Sequence, residues 1–124
     1  MNWLAVAIGG ALGSVTRYGV ALLLPTVAGR FPWATFCVNL LGSFLIGVAY
    51  VVIVQKQILS PELRLWLMTG FLGGFTTFSS FSLEALQLWQ EGQTIQALIY
   101  VISSVVCCLI AVAFAVTLTQ KFIG

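Results

Sequence analysis

Four apolar stretches, near Trp3 to Leu24, Trp33 to Val54, Leu65 to Leu88 and Ile95 to Leu118, alternate with short polar punctuation along the chain. Each is longer than the roughly 20 residues that carry a helix across a bilayer. The alternation of apolar and polar residues with turn clusters that marks a membrane barrel is absent. Pro25 and Gly29-Arg30-Phe31-Pro32 separate the first two stretches, because proline cannot continue a helix without losing a backbone hydrogen bond. Gln55 to Glu62, with Pro61, divides the second from the third, and Gln90-Glu91-Gly92 divides the third from the fourth. The pattern predicts an all-α integral membrane protein, a single domain over residues 1–124 with four transmembrane helices.

The third stretch is not written as a plain apolar helix. Between Gly70 and Ser82 it holds three glycines, five hydroxyl side chains and a phenylalanine at every third position from Phe75 to Phe81. Glycine is a poor helix former, and Gly73-Gly74 before two β-branched threonines predicts a break near the middle of the helix that strands backbone carbonyls. Lipid offers such carbonyls no donors, so protein, water or an ion must satisfy them. A functional site is expected there.

Composition narrows the class further. The chain is 60% hydrophobic and 6% charged, against roughly 25% charged for a soluble domain. No basic tract points to nucleic acid, and the lipid bilayer is the expected surrounding. No His or Asp is present, so the hydroxyls lack a base partner and no carboxylate cluster exists for metal-assisted hydrolysis; an enzyme is not expected. Cys37, Cys107 and Cys108 fall inside predicted spans without C-x-x-C spacing, as small core residues would. No Lys or Arg precedes the first apolar stretch, which is therefore expected to persist as a helix rather than be removed as a signal peptide. Four spans put Lys56, Arg64 and Lys121 with Glu62 on one side, and Arg30 with Glu91 on the other, near Arg17. This bias is weak and is compatible with insertion in both orientations, which would permit an antiparallel dimer.

Several polar positions stand out within the spans. Gly9-Gly10-Ala11 and Gly13-Ser14 form a small-residue face for close helix packing. Arg17 lies about 21 Å along a helix counted from Trp3; it either snorkels to the interface or sets a positive charge at an aqueous vestibule. Asn39 and Ser43 share a helix face at i and i+4, where the amide either bridges helices or offers donors to an anion. Glu84 closes the third stretch as a boundary carboxylate or as part of a polar path. Tyr100, Ser104 and Cys108 fall at i, i+4 and i+8 in the fourth.

Gly9-Gly10-Ala11-Leu12-Gly13 with Arg17-Tyr18, Asn39-Leu40-Leu41-Gly42-Ser43-Phe44, and Gly70 to Ser82 with Glu84 resemble the bacterial Fluc (CrcB) fluoride channels, through all four spans in order. The resemblance implies a passive, fluoride-selective channel that exports fluoride across the bacterial inner membrane as a multi-pass protein. It implies an antiparallel, dual-topology homodimer with two pores and a broken third helix. Backbone carbonyls at positions matching Gly73 and Thr76 would hold a central, structural sodium ion. Phe78 and Phe81 match the phenylalanines of the fluoride path, with Asn39 as the second-helix polar contact. Ser79, Tyr100 and Ser104 match its polar track, and Cys108 falls where a hydroxyl is more usual. Arg17 matches the first-helix arginine.

Physical chemistry agrees with that reading. Fluoride is small and strongly hydrated, so a pore must replace its water at successive sites that also let it leave. Hydroxyls and an amide supply donors, and phenylalanine edges carry partial positive charge without the grip of Lys or Arg. Two other classes compete. A small multidrug-type exporter shares the size and span count but depends on a membrane-embedded first-helix glutamate, which is missing here. A non-catalytic membrane assembly protein would account for the small-residue faces and leave Asn39, Phe78, Phe81 and the hydroxyls without a role.

Overall fold

The computed structural model describes all residues from Met1 to Gly124. The chain is helical throughout, with five helical units and no strand. Helix α1 runs Asn2–Leu23, and α2 runs Trp33–Gln55, its last turns wound wider over Tyr50–Gln55. Helix α3 comprises Arg64–Leu72, also widely wound, and Gly73–Phe75. Helix α4 is Ser79–Gln90 and α5 is Thr94–Ile123. The fourth apolar stretch thus continues as helix five residues past the Leu118 boundary that hydropathy suggests, to Ile123.

Helices α1, α2 and α5 are each long and apolar enough to cross a membrane, with mean hydropathy of 1.4, 2.3 and 2.7. By contrast, the 12 residues of α4 rise only about 18 Å, short of the roughly 30 Å hydrocarbon core. Only 20 of 124 residues are buried, and large apolar side chains such as Trp3, Leu12, Val15, Ile99, Ile102 and Leu109 point outward. An exterior of this kind suits a hydrocarbon solvent, and the protein is a multi-pass membrane protein. Two small interior clusters remain: Phe81, Leu88, Ala97 and Tyr100, and Val38, Leu72 and Phe75.

Small residues set how closely the helices approach. Ala5, Gly9 and Gly13 are the buried residues of α1, four apart and therefore on one stripe. That stripe lies on α3. A Cβ on Gly13 would collide with the backbone carbonyl of Phe71 and lie 2.9 Å from the Phe75 nitrogen; one on Gly9 would strike the Trp66 carbonyl. Gly74 answers from the other side, where a Cβ would meet the Gly10 carbonyl. Propensity suggests that Gly73-Gly74 ends the helix, yet both residues remain helical. Gly74 reflects close backbone approach, whereas a Cβ on Gly73 would meet nothing nearer than the Met68 carbonyl at 3.7 Å; helical conformation stops at Thr76, which turns extended at φ −87°, ψ 159°.

Candidate functional site

Residues 76–78, between α3 and α4, carry the local chemistry. Leaving a helix exposes carbonyls that the next turn would have satisfied, and several of them meet donors from elsewhere. The Leu72 carbonyl accepts from both the Thr76 amide at 3.0 Å and the Thr76 hydroxyl at 2.9 Å. The Gly74 carbonyl accepts from Arg17 Nε at 3.1 Å. Asn39 Nδ2 donates to the Thr77 carbonyl at 2.9 Å while Asn39 Oδ1 accepts from the Thr77 amide at 2.8 Å. Thr77 Oγ1 accepts from the Ser80 amide at 3.2 Å, which satisfies one donor in the first turn of α4. The Gly73 and Thr76 carbonyls accept no hydrogen bond.

Arg17, half-buried on α1, thus reaches the C-terminal end of α3. Its position favours the charge as well as the bond, because a cation is stabilised at the negative end of a helix. Asn39 ties α2 to the non-helical segment between α3 and α4. One of its two amide protons is spent on Thr77, which leaves the second for another acceptor.

Beside this segment lies an open cleft of about 420 Å³ between α2, α3, α4 and α5. Asn39, Gly42 and Ser43 line it from α2, and Gly73, Thr76, Thr77, Phe78 and Phe81 from the interrupted region. Ser104 and Cys108 line it from α5, and no charged side chain reaches it. Gly42 is required by the packing, since a Cβ there would collide with the Thr76 methyl. The Ser104 hydroxyl is buried at the cleft without any hydrogen-bond partner. An orphaned buried hydroxyl is costly, and it calls for an acceptor or a water.

The two phenylalanines differ. Phe81 is only 8% exposed, whereas Phe78 is 77% exposed, with their ring centroids 5.6 Å apart at 48°. Phe78 therefore borders the cleft and projects from the protomer at once. Phe75, by contrast, is buried away from the cleft, stacked on Phe71 at 5.9 Å. Two residues expected on a polar track lie outside the lining. Ser79 is exposed at the start of α4, 3.5 Å from the Thr77 hydroxyl. Tyr100 is fully buried, its hydroxyl donating to Glu84 Oε1 at 3.0 Å. The Tyr100–Glu84, Arg17–Gly74 and Asn39–Thr77 pairs leave no mark at any fixed spacing, and residue type was the only signal for them.

No cluster of His, Cys, Asp or Glu could hold a metal ion. Unpaired carbonyl oxygens are instead the donors a hard cation takes; Gly73 and Thr76 each have one, and both residues are among those that line the cleft.

A small helical membrane protein with an uncharged, hydroxyl- and aromatic-lined cleft is the class these features define. The family described as CrcB-like protein, Camphor Resistance (CrcB), matches residues 4–116. The chain is 53% identical over 121 residues to a fluoride-specific ion channel of Saccharophagus degradans, covering 98% of this chain and 91% of the relative. It is also 53% identical over 116 residues to one of Hahella chejuensis, covering 93% and 91%. A third, of Rhizobium meliloti, is 48% identical over 121 residues and 97% of both chains. The chain belongs to the CrcB family.

Proposed function

We propose that this protein is a fluoride-specific ion channel, not an enzyme, that lets fluoride leave the cell passively through the cleft. The cleft chemistry carries the reading. The Ser104 hydroxyl is buried without a partner, Asn39 keeps a spare amide proton, and Phe78 and Phe81 stand beside them, with no charged side chain in the lining. Donors of that kind replace the water of a small anion, and the absence of Lys and Arg keeps it from being held. Relatives named as fluoride-specific ion channels at about half identity over nearly the whole chain support the same function.

On this reading α3, residues 76–78 and α4 together cross the membrane as one broken third helix, giving four spans in the bacterial inner membrane. The working unit is an antiparallel homodimer of dual topology with two pores. The 77% exposure of Phe78 beside the cleft supports it, since a partner protomer would complete that wall. Arg17 supplies positive charge at the vestibule. The Gly73 and Thr76 carbonyls of both protomers hold a structural sodium ion at the centre, where four oxygens would otherwise lack donors. Fluoride and chloride efflux from liposomes that contain only this protein tests the reading. Fluoride leaving rapidly while chloride stays is the expected result; equal release of both, or release only when a pH gradient is imposed, would reject it.

A further inference from the structure

Of the three cysteines, Cys108 alone lines the cleft, where it is half-buried. Cys37 stands outside the lining, and Cys107, one residue earlier on α5, opens onto a separate apolar groove with Ile99, Ile102 and Val106. The level of Cys108 along the cleft follows from how α2 and α5 pack. Gln120 donates to Gln55 across 65 positions of sequence, at 2.7 Å. The same separation recurs where the Val112 carbonyl lies 2.9 Å from a Cβ built on Gly47. An offset that stays constant over about two turns means that the two helices run parallel in one register. That register sets Asn39 level with Ser104 and Ser43 level with Cys108, and all four residues line the cleft. Cys108 therefore stands one turn beyond Ser104 on the same face, and Ser104 is only 6% exposed with a hydroxyl that has no partner.

We infer that Cys108 is a modification site on the anion path, where a soft, thiophilic metal ion bonded to its sulfur closes the path to fluoride. The inference rests on the fluoride reading given above. Thiolate sulfur takes soft metals far more readily than the hydroxyls and the amide around it. With mercuric chloride the step is a ligand exchange without change of oxidation state: the S–H bond and one Hg–Cl bond break, an S–Hg bond forms, and a proton and a chloride ion leave. The S–Hg–Cl product is uncharged, so it acts on the passing ion by filling space and by removing the S–H donor. Space is scarce at that level, because at Gly42, next to Ser43, a single added Cβ already collides with the Thr76 methyl. Metal on Cys37 or Cys107 stays outside the cleft and leaves the path open.

Two readouts on the full-length protein test this: fluoride efflux from liposomes before and after mercuric chloride, and the mass of the intact chain. Efflux through the parent should fall at least about tenfold on treatment, and an excess of dithiothreitol should restore it. The double variant Cys37→Ser with Cys107→Ser keeps Cys108 as its sole thiol; it should gain one mercury per chain and be blocked as fully as the parent. Cys108→Ser, read against its own untreated rate, should keep that rate in mercuric chloride. Block of Cys108→Ser to the same extent as the parent would overturn the inference, as would full flux through the treated double variant. That second outcome decides the matter by itself where Cys108→Ser does not fold or conduct, since block with one mercury per chain upholds the site and full flux with or without mercury refutes it. A parent that releases no fluoride before treatment would refute the channel reading instead, while mercury uptake by the double variant would still show whether the Cys108 thiol is open to the metal.

Discussion

Asn39 and Thr77 form a reciprocal pair in which the side-chain amide of one binds both backbone groups of the other, at 2.9 Å and 2.8 Å. An amide has the donor and acceptor geometry to replace the neighbouring peptide that a helix would have provided, and it does so where the helical ladder is interrupted. Asn39→Asp should keep the acceptor for the Thr77 amide but set a carboxylate oxygen against the Thr77 carbonyl. Leaving a buried peptide group unsatisfied costs about 1–3 kcal/mol. The variant should therefore unfold at lower temperature in detergent and lose flux with it. Unchanged melting would mean that the pair does not hold the segment.

Two glycines on one helix should respond oppositely to the same change. At Gly13 an added Cβ meets backbone atoms of Phe71 and Phe75, which have no rotamer to yield; at Gly19 it meets nothing within 4 Å. Gly13→Ala should destabilise the protein by about 1–3 kcal/mol through overpacking, whereas Gly19→Ala should be neutral or gain up to about 1 kcal/mol of helix propensity. Thermal unfolding of the two variants side by side checks this. Equal responses would contradict the close α1–α3 seam.

The three long spans were legible as apolar stretches, and the unusual composition of Gly70 to Ser82 marked where the site would lie. What stayed hidden depended on helix rotation. When helices are apolar nearly all round, hydropathy carries little information on which face meets which neighbour. Arg17 and Gly74 are 57 residues apart, and no spacing rule joins them. Gly73-Gly74 misleads for a related reason: glycine serves both helix breaks and close contacts, and only the placement of Gly10 opposite Gly74 separates the two uses. Tyr100 similarly reads as one of a row of hydroxyls until Glu84 is found beside it.

Arg17 carries two effects that salt can divide. Its charge acts through solvent and is screened over roughly 10 Å at 0.1 M, while its bond to the Gly74 carbonyl is a local, part-buried contact at 3.1 Å. Arg17→Gln should lower fluoride flux at every ionic strength and most at low salt. Arg17→Lys should recover the salt-dependent part only, since lysine keeps the charge and lacks the planar fork. Efflux rates across a salt series measure both. A Lys variant indistinguishable from Gln would rule out the electrostatic contribution.

Gly73 and Thr76 present carbonyls with no donor of their own. Dialysis into sodium-free buffer, long enough for slow release, should lower thermal stability and flux together, and returning sodium should restore both. Stability and flux that persist through complete exchange would reject the ion.

The measurement closest to the central claim, that fluoride passes along phenylalanine edges in the cleft, is efflux through Phe78→Ile and Phe81→Ile in liposomes. Isoleucine keeps much of the bulk and removes the ring quadrupole. Hydrophobic swaps of similar volume usually cost less than about 1.5 kcal/mol, so the variants should fold. Phe75→Ile is the control, because Phe75 is buried outside the cleft and its loss should show in stability before flux. The account predicts folded Phe78→Ile and Phe81→Ile proteins whose fluoride efflux falls by more than roughly a hundredfold, as about 3 kcal/mol added to the barrier would give. Folded variants that pass fluoride as fast as the parent while still excluding chloride would contradict it.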